Sequence, residues 1–556
     1  MHSPVVLENL SAYLSDVLFP ARKAMAELRA RWVKPGDKDG WRDSDYFDLV
    51  RDPEASSSID DKTWNDLEYP KIFASMDSTV TPVGSQVLYR RMREYGDVAT
   101  LAANYAVCAE LRSNAALREA LQRRLLPLQD ESSNRIVDFV FGKLPPAPRH
   151  QGLLWSWSLA SVAALAGVVW LAWPAWVWVA MLFVNAFLIF RACADSVRDA
   201  ETLTHCLQLV KVADDLAALH DAHRSLPQLA RLHGQASNRR AVRKALRWLA
   251  RLKQPGSAFV FVWLNFAFLL ELLAHGRAMR RFAVLRHKLA ASFELVGEVD
   301  AMIAVASWLE YRPDHCRPAF GDRAMLDIED GGHPLLEAGV RNSIRLDQRS
   351  ALVTGSNMAG KTTFIKMVAV NVLLGRTLGF CLAARATIPR ALVMASIQAG
   401  HSVASGKSHY FSEVETIRSF FARQAHGGCA IFVIDELFSG TNTVERVAVA
   451  RAVLESLSER SVVLATTHDV ELQALLDERY DLYHFRESPD VDGFFDYRLR
   501  AGPATERNAI RLLGELGFPE RIIAKAMGYA REELRAGERG ADRSREGIRT
   551  QRADSA

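Results

Sequence analysis

Thr354-Gly355-Ser356-Asn357-Met358-Ala359-Gly360-Lys361-Thr362-Thr363 is the stretch on which the reading of this chain turns. It fits G-x-x-x-x-G-K-[ST], the spacing of a loop that wraps phosphates. Glycine at 355 and 360 permits torsions that aim successive N–H groups into one concavity. Lys361 adds a point charge at the β- and γ-phosphates, and the Thr362 hydroxyl suits Mg²⁺. On this reading Gly355, Asn357, Met358, Gly360, Lys361, Thr362 and Thr363 form the nucleotide cradle. The flanks agree: Ser350 to Val353 is a short apolar run that predicts a strand, and residues 362–374 are apolar at helical spacing, so the loop opens a helix.

Two further strands follow downstream. Ala430-Ile431-Phe432-Val433-Ile434 is an unbroken apolar run, as expected of a strand buried on both faces of a parallel sheet, and it ends in Asp435-Glu436. Ligands bind outside the carboxyl ends of such strands. Asp435 is therefore expected to hold Mg²⁺ together with Thr362, and Glu436 to polarise an attacking water. Ser461 to Ala465 predicts a third strand, ending in Thr466-Thr467-His468. His468 is read as a contact to the γ-phosphate or the attacking water.

The segments between these strands carry a resemblance. Ser405-Gly406-Lys407-Ser408-His409-Tyr410-Phe411-Ser412-Glu413-Val414 precedes the acidic strand, and Leu437-Phe438-Ser439-Gly440-Thr441-Asn442-Thr443 follows it. With the phosphate loop, these resemble the ATPase domain of the MutS family, a branch of the ABC-type ATPases best known from DNA mismatch repair. That family typically reads TGPNMGGKST, SGRSTFMVEM and DEIGRGTST; here Ser356 stands for Pro, Ala359 for Gly and Thr362 for Ser. The resemblance implies an α/β fold with a mixed sheet flanked by helices, ATP and Mg²⁺ as cofactors, and a homodimer in which Ser408 reaches the partner's ATP. Residues 501–504, 516–519 and 522–523 resemble the family's C-terminal helix-turn-helix. Upstream, Met76 to Ser85 with Leu88 and Arg90-Arg91 resemble the opening of its all-α core, or lever, domain, and residues 298–307, 317–320 and 329–334 resemble the stretch joining the lever to the ATPase. The likeness covers roughly residues 65–140 and 280–530. One departure is the stretch Ala338 to Asn342, which lacks the aromatic the family often stacks on adenine, so the adenine contact stays unassigned. The Phe-x-Glu wedge of mismatch readers is absent from the first 65 residues, and no nuclease domain follows the ATPase region.

An apolar block replaces the expected DNA clamp. Residues 152–190 carry no charge, enough for two spans of about 20 residues each. Ala172-Trp173-Pro174-Ala175-Trp176 supplies a turn between them. Trp170, Trp173, Trp176 and Trp178 cluster at that turn, and Trp155 and Trp157 at the other end. Lys143, Arg149 and His150 flank one side, Arg191 and Arg198 the other. This predicts a transmembrane hairpin in inner (cytoplasmic) membrane lipid, with both termini and the ATPase in the cytoplasm. A third apolar stretch, Ser257 to Leu270, is short, carries Asn265 and meets Glu271. A third crossing would place the ATPase outside, so this stretch is read as a core or membrane-surface helix.

The expected organisation is an N-terminal helix (about residues 7–33) and linker (34–40) within 1–65, first core segment 66–150, hairpin 151–191, lever helices 192–320, ATPase 321–530 and a disordered tail 531–556. The chain has 556 residues and a net charge of only +4, so no global nucleic-acid signature is present. Its six cysteines show no C-x-x-C pairing and are read as reduced thiols; no cleavable signal peptide is evident. The densest basic run is Arg239-Arg240, Arg243-Lys244, Arg247, Arg251 and Lys253, most of them along one helix face, which suits either phosphates of double-stranded DNA or of anionic lipid, or a solvated face of the lever. Two functions fit: a membrane-tethered, DNA-linked ATPase, or an ATP-driven membrane device that binds no DNA.

Overall fold

The computed structural model describes residues 20–34, 36, 43–52, 58–145, 151–252, 258–321, 324–397, 409–438, 441–476, 478–486, 495–503 and 517–529. Ser408, most of the linker, residues 504–516 and the tail lie outside the described residues. The chain divides into two compact units, residues 1–320 with 370–386, and residues 321–369 with 387–556.

The first unit is helical. Its centre is the helix His287–Tyr311, buried along most of its length, against which Pro82–Arg93 packs. Thr81 starts the latter helix: its backbone is extended, its hydroxyl accepts from Gly84 N–H, and Pro82 fills the first turn. Asp300, fully buried, accepts from Val80 N–H at 2.9 Å, Thr81 N–H at 2.8 Å and the Thr81 hydroxyl at 2.7 Å. The two stretches singled out by resemblance, 76–85 and 298–307, thus meet at one carboxylate. The helices approach so closely that a methyl built on Gly84 would lie 2.3 Å from Asp300 Oδ2.

The apolar block forms Gln151–Trp170 and the first part of Trp176–Ala217, a helix of 42 residues. The chain turns at Ala172, at φ +52, with Leu171 and Trp173 N–H both donated to Gly167 O. Gly167 has no room for a side chain, because Trp173 lies over it. Of the two expected spans, Gly152–Trp170 alone is long and apolar enough to cross a membrane, and only 22% of it is buried; the apolar stretch Trp176–Arg191 is shorter. Ala258–Phe268 packs on both, then Leu270–Leu285 returns beside Ala236–Leu252.

Three expectations change. The expected N-terminal helix is described from Pro20 and ends at Arg31, two residues before the expected end, where Trp32 turns away to stack under the Arg118 guanidinium; residues 7–19 of that expectation lie outside the described residues. Gly36 is no free linker residue: its N–H donates to Ser75 O at 2.7 Å, and a methyl there would meet Ala74 O at 2.4 Å. Arg239 is not on an open basic face. It is buried, donating to Asp214 Oδ1 at 2.6 Å and to Leu232 O at 2.6 Å, and Arg243 also pairs with Asp214. Spacing places residues on a helix face but does not say which face another helix covers. Arg240, Lys244 and Arg247 remain exposed.

The second unit is α/β, and the strands of the chain form two sheets. One has the order β1 (Ala319–Gly321), β5 (Arg385–Pro389), β2 (Met325–Gly331), β3 (Asn342–Asp347), with β2 and β3 antiparallel. The other runs β10 (Arg500–Ala501), β9 (Tyr480–His484), β4 (Ser350–Thr354), β8 (Val462–Thr466), β7 (Ala430–Asp435), β6 (Leu392–Ser396). It is parallel except for β10, so it is mixed. β4 and β8 are buried at every residue and β7 at all but Asp435, which is why each reads as a continuous apolar run. Phe420 and Phe432 stack with ring centres 4.7 Å apart in the core beneath the sheet.

Candidate nucleotide site

The site lies at the carboxyl ends of β4, β8 and β7. Leaving β4, the chain takes Gly355 at φ +131, a single 3-10 turn Asn357–Ala359 and Gly360 at φ +101, then enters the helix Lys361–Thr377. Both glycines sit at torsions that exclude a side chain, and a methyl on Gly355 would also meet Phe485 O at 2.5 Å. Met358 and Thr363 are exposed; Lys361 is 1% exposed.

Lys361 Nζ donates to Gly355 O at 2.6 Å, across the mouth of the loop, and lies 3.1 Å from His468 Nε2. Burial lowers its pKa to about 8, against a partial opposing pull from Glu436 and Asp435. The Thr362 hydroxyl donates to Asp435 Oδ2 at 2.8 Å, and the Thr466 hydroxyl to Asp435 Oδ1 at 2.5 Å. The carboxylate is therefore held from both sides beside the start of the helix.

Glu436 follows at φ +56, and its N–H donates to Thr466 Oγ1 at 3.2 Å. Its Oε1 lies 2.8 Å from His468 Nε2. That hydrogen bond, aided by Lys361 and Arg446, holds its carboxyl below the usual carboxylate range despite burial. Phe438, also left-handed at φ +58, donates its N–H to the buried carboxylate of Glu413. Two side-chain-bearing residues in a left-handed conformation within three positions mark a turn held by its surroundings.

Three contributors were missed by sequence reasoning. Glu413 fixes the turn after the acidic strand. Arg446 makes a paired bond to Asp469, at 2.9 and 2.6 Å, next to His468. Tyr497, half-exposed, lies over the phosphate loop: a methyl on Gly360 would be 3.2 Å from its Cδ1. Asn342 holds that segment, donating to Tyr497 O at 2.9 Å and accepting from Leu499 N–H at 2.8 Å. The stretch that lacks an aromatic thus positions one from more than a hundred residues away.

The residues fit a magnesium-bound nucleotide triphosphate. The Ser356 hydroxyl is buried with no partner among the described residues, at the rim where phosphate oxygens would lie. No cluster of three or more His, Cys, Asp or Glu suited to a metal occurs among the described residues; Thr362 and Asp435 are the residues that could hold a cation here.

A glycine-gated loop between a central parallel strand and a helix, with an acidic strand end beside it, defines the P-loop class of nucleotide-binding folds. Within that class, residues 351–534 match MutS domain V, an ATPase-type domain. The C-terminal half is similar to the DNA mismatch repair protein MutS of Thermus aquaticus, 31% identical over 256 residues that are 45% of this chain and 30% of that protein. It is also similar to MutS of Leuconostoc mesenteroides, 31% identical over 271 residues, 45% of this chain and 32% of that protein. DNA mismatch repair protein MutS 2 of Halobacterium salinarum is 31% identical over 259 residues, 44% of this chain and 29% of that protein. The chain spans about a third of the length of these curated relatives.

Proposed function

We propose that this chain is a membrane-tethered MutS-type ATPase that binds and hydrolyses ATP with Mg²⁺ to close a homodimer and move its helical unit in a DNA-linked task. The observation that carries the ATPase reading is the Thr362–Asp435 bond of 2.8 Å beside Lys361, Glu436 and His468. Thr362 and Asp435 would hold the metal, which neutralises phosphate charge. Lys361 swings from Gly355 O to the phosphates. Glu436, kept ionised, orients water, and His468 fixes Glu436. Tyr497 offers a face to the base. Ser408 acts across the dimer.

The inner membrane and its lipid are proposed as the site of the apolar hairpin. Supporting this are the span-length helix with little burial, the exposed Trp170 and Trp176 at its turn, and a flank of Arg191 and Arg198. Both termini and the ATPase then share the cytoplasmic side.

A second reading, a membrane device that binds no DNA, is favoured by one observation: Asp214 occupies Arg239 and Arg243, which shortens the basic run. The test is ATP turnover of the purified dimer and its binding to duplex DNA, matched and mismatched, across salt. Turnover abolished by Lys361→Ala supports the ATPase; wild-type protein without turnover refutes it. Absence of duplex binding at low salt removes the DNA-linked task.

A further inference from the structure

The helix Ala258–Phe268 ends at Leu269, a buried residue at φ +54. A leucine in this conformation breaks the helix and frees the carbonyls before it. Two of them are closed from the apolar hairpin. Asn185 Nδ2 donates to Ala267 O at 2.8 Å, and the Ser158 hydroxyl donates to Phe268 O at 2.7 Å. Asn185 is itself fully buried, and its Oδ1 accepts from Trp157 Nε1–H at 2.8 Å.

This lock sits inside the uncharged stretch. Along its helix Asn185 is about 14 Å from Trp176 and about 9 Å from Arg191. Around the lock the surface is apolar: Trp263 is 63% exposed, Leu264 and Phe266 are exposed, and so are Phe183 and Phe187 on the hairpin. Polar groups are thus turned inward and large apolar ones outward. That inversion suits hydrocarbon, where irregular backbone persists only if protein satisfies it.

Resting on the membrane reading of the hairpin, we propose that residues 263–269 form a re-entrant tip. It enters one leaflet, docks on the hairpin through Asn185 and Ser158, and presents Trp263, Leu264 and Phe266 to phospholipid acyl chains. Ala236–Leu252 and Leu270–Leu285, the helices before and after it, pack side by side, as a segment that enters and returns on one side requires. The tip therefore meets lipid without a third crossing, and residues 276–556 stay on the side of the N-terminus.

The test places the photocrosslinker p-benzoylphenylalanine at Phe266, at Phe183 and at the exposed Val284, each in full-length protein in phosphatidylethanolamine–phosphatidylglycerol vesicles. Mass spectrometry then reads phospholipid adducts. Adducts at Phe183 and Phe266 but not Val284 are expected. Adducts at Phe183 without any at Phe266 overturn the tip and leave the hairpin reading standing; adducts at neither position overturn both. Asn185→Leu keeps the hairpin apolar and should lower the Phe266 adduct yield severalfold with the Phe183 yield unchanged. An unaltered Phe266 yield in that variant overturns the lock.

Discussion

His468 Nε2 lies 2.8 Å from Glu436 Oε1, and the same nitrogen lies 3.1 Å from Lys361 Nζ. One imidazole edge therefore joins the group proposed to orient water to the group proposed to meet phosphate. The lysine lies against this edge and donates to Gly355 O, a contact it would have to leave to reach a phosphate.

Glu436→Gln keeps the shape of this edge and removes the negative charge. ATP affinity should stay within a few-fold, while turnover falls about 100-fold or more, the usual worth of a positioned acid–base group. Steady-state hydrolysis alongside equilibrium nucleotide binding checks this, and unaltered turnover removes Glu436 from its role.

The buried Lys361 ammonium titrates near pH 8 rather than at its ordinary 10.5. Between those values the ATP-free fold binds fewer protons than the unfolded chain, so the cost of burying this charge is full below pH 8 and fades toward 10.5. Phosphate charge restores the proton. ATP binding at about pH 8.5, just above the folded value, should therefore take up protons, seen as a dependence of calorimetric heat on buffer ionisation enthalpy. Lys361→Met should abolish that dependence.

Asp300→Ala would leave Val80 N–H, Thr81 N–H and the Thr81 hydroxyl without their acceptor in a closed site. Each unsatisfied donor costs about 1–3 kcal/mol, so the helical unit should lose at least ~3 kcal/mol. Gly84→Ala should also destabilise, because its methyl meets the same carboxylate. Chemical denaturation of both variants, compared with the exposed-surface variant Val284→Ala, measures the loss.

The two kinds of basic residue on Ala236–Leu252 should separate by phenotype. If duplex DNA binds here, Gln at Arg240, Lys244 and Arg247 should weaken binding and flatten its salt dependence by about one unit of slope for each phosphate no longer neutralised. Arg239→Ala should instead lower the melting temperature, since it strips a buried pair from Asp214. Binding titrations at several salt concentrations, with thermal unfolding, resolve the two.

The phosphate loop and its three strands were legible in the sequence because their signals are local. Gly355, Gly360 and Lys361 are fixed by neighbouring torsions, and strands covered on both faces read as apolar runs. Tyr497, Glu413 and Arg446 were not legible. They are common residue types whose meaning comes from partners far along the chain: Gly360, Phe438 and Asp469. The break at Leu269 left no mark either, since neither glycine nor proline announces it and its caps come from Asn185 and Ser158. Arg239 was misjudged because helical spacing places a charge on a face without saying that Asp214 lies opposite.

From Trp176 to Ala217 the chain is one α-helix without a glycine or proline, about 63 Å long. Its upper end carries the exposed aromatic turn and its lower end the Asp214 clamp on Arg239. Such a rod has no joint. Helical hydrogen bonding runs unbroken between Asp214 and Trp176, so a tilt of the Asp214 end would carry the aromatic turn with it.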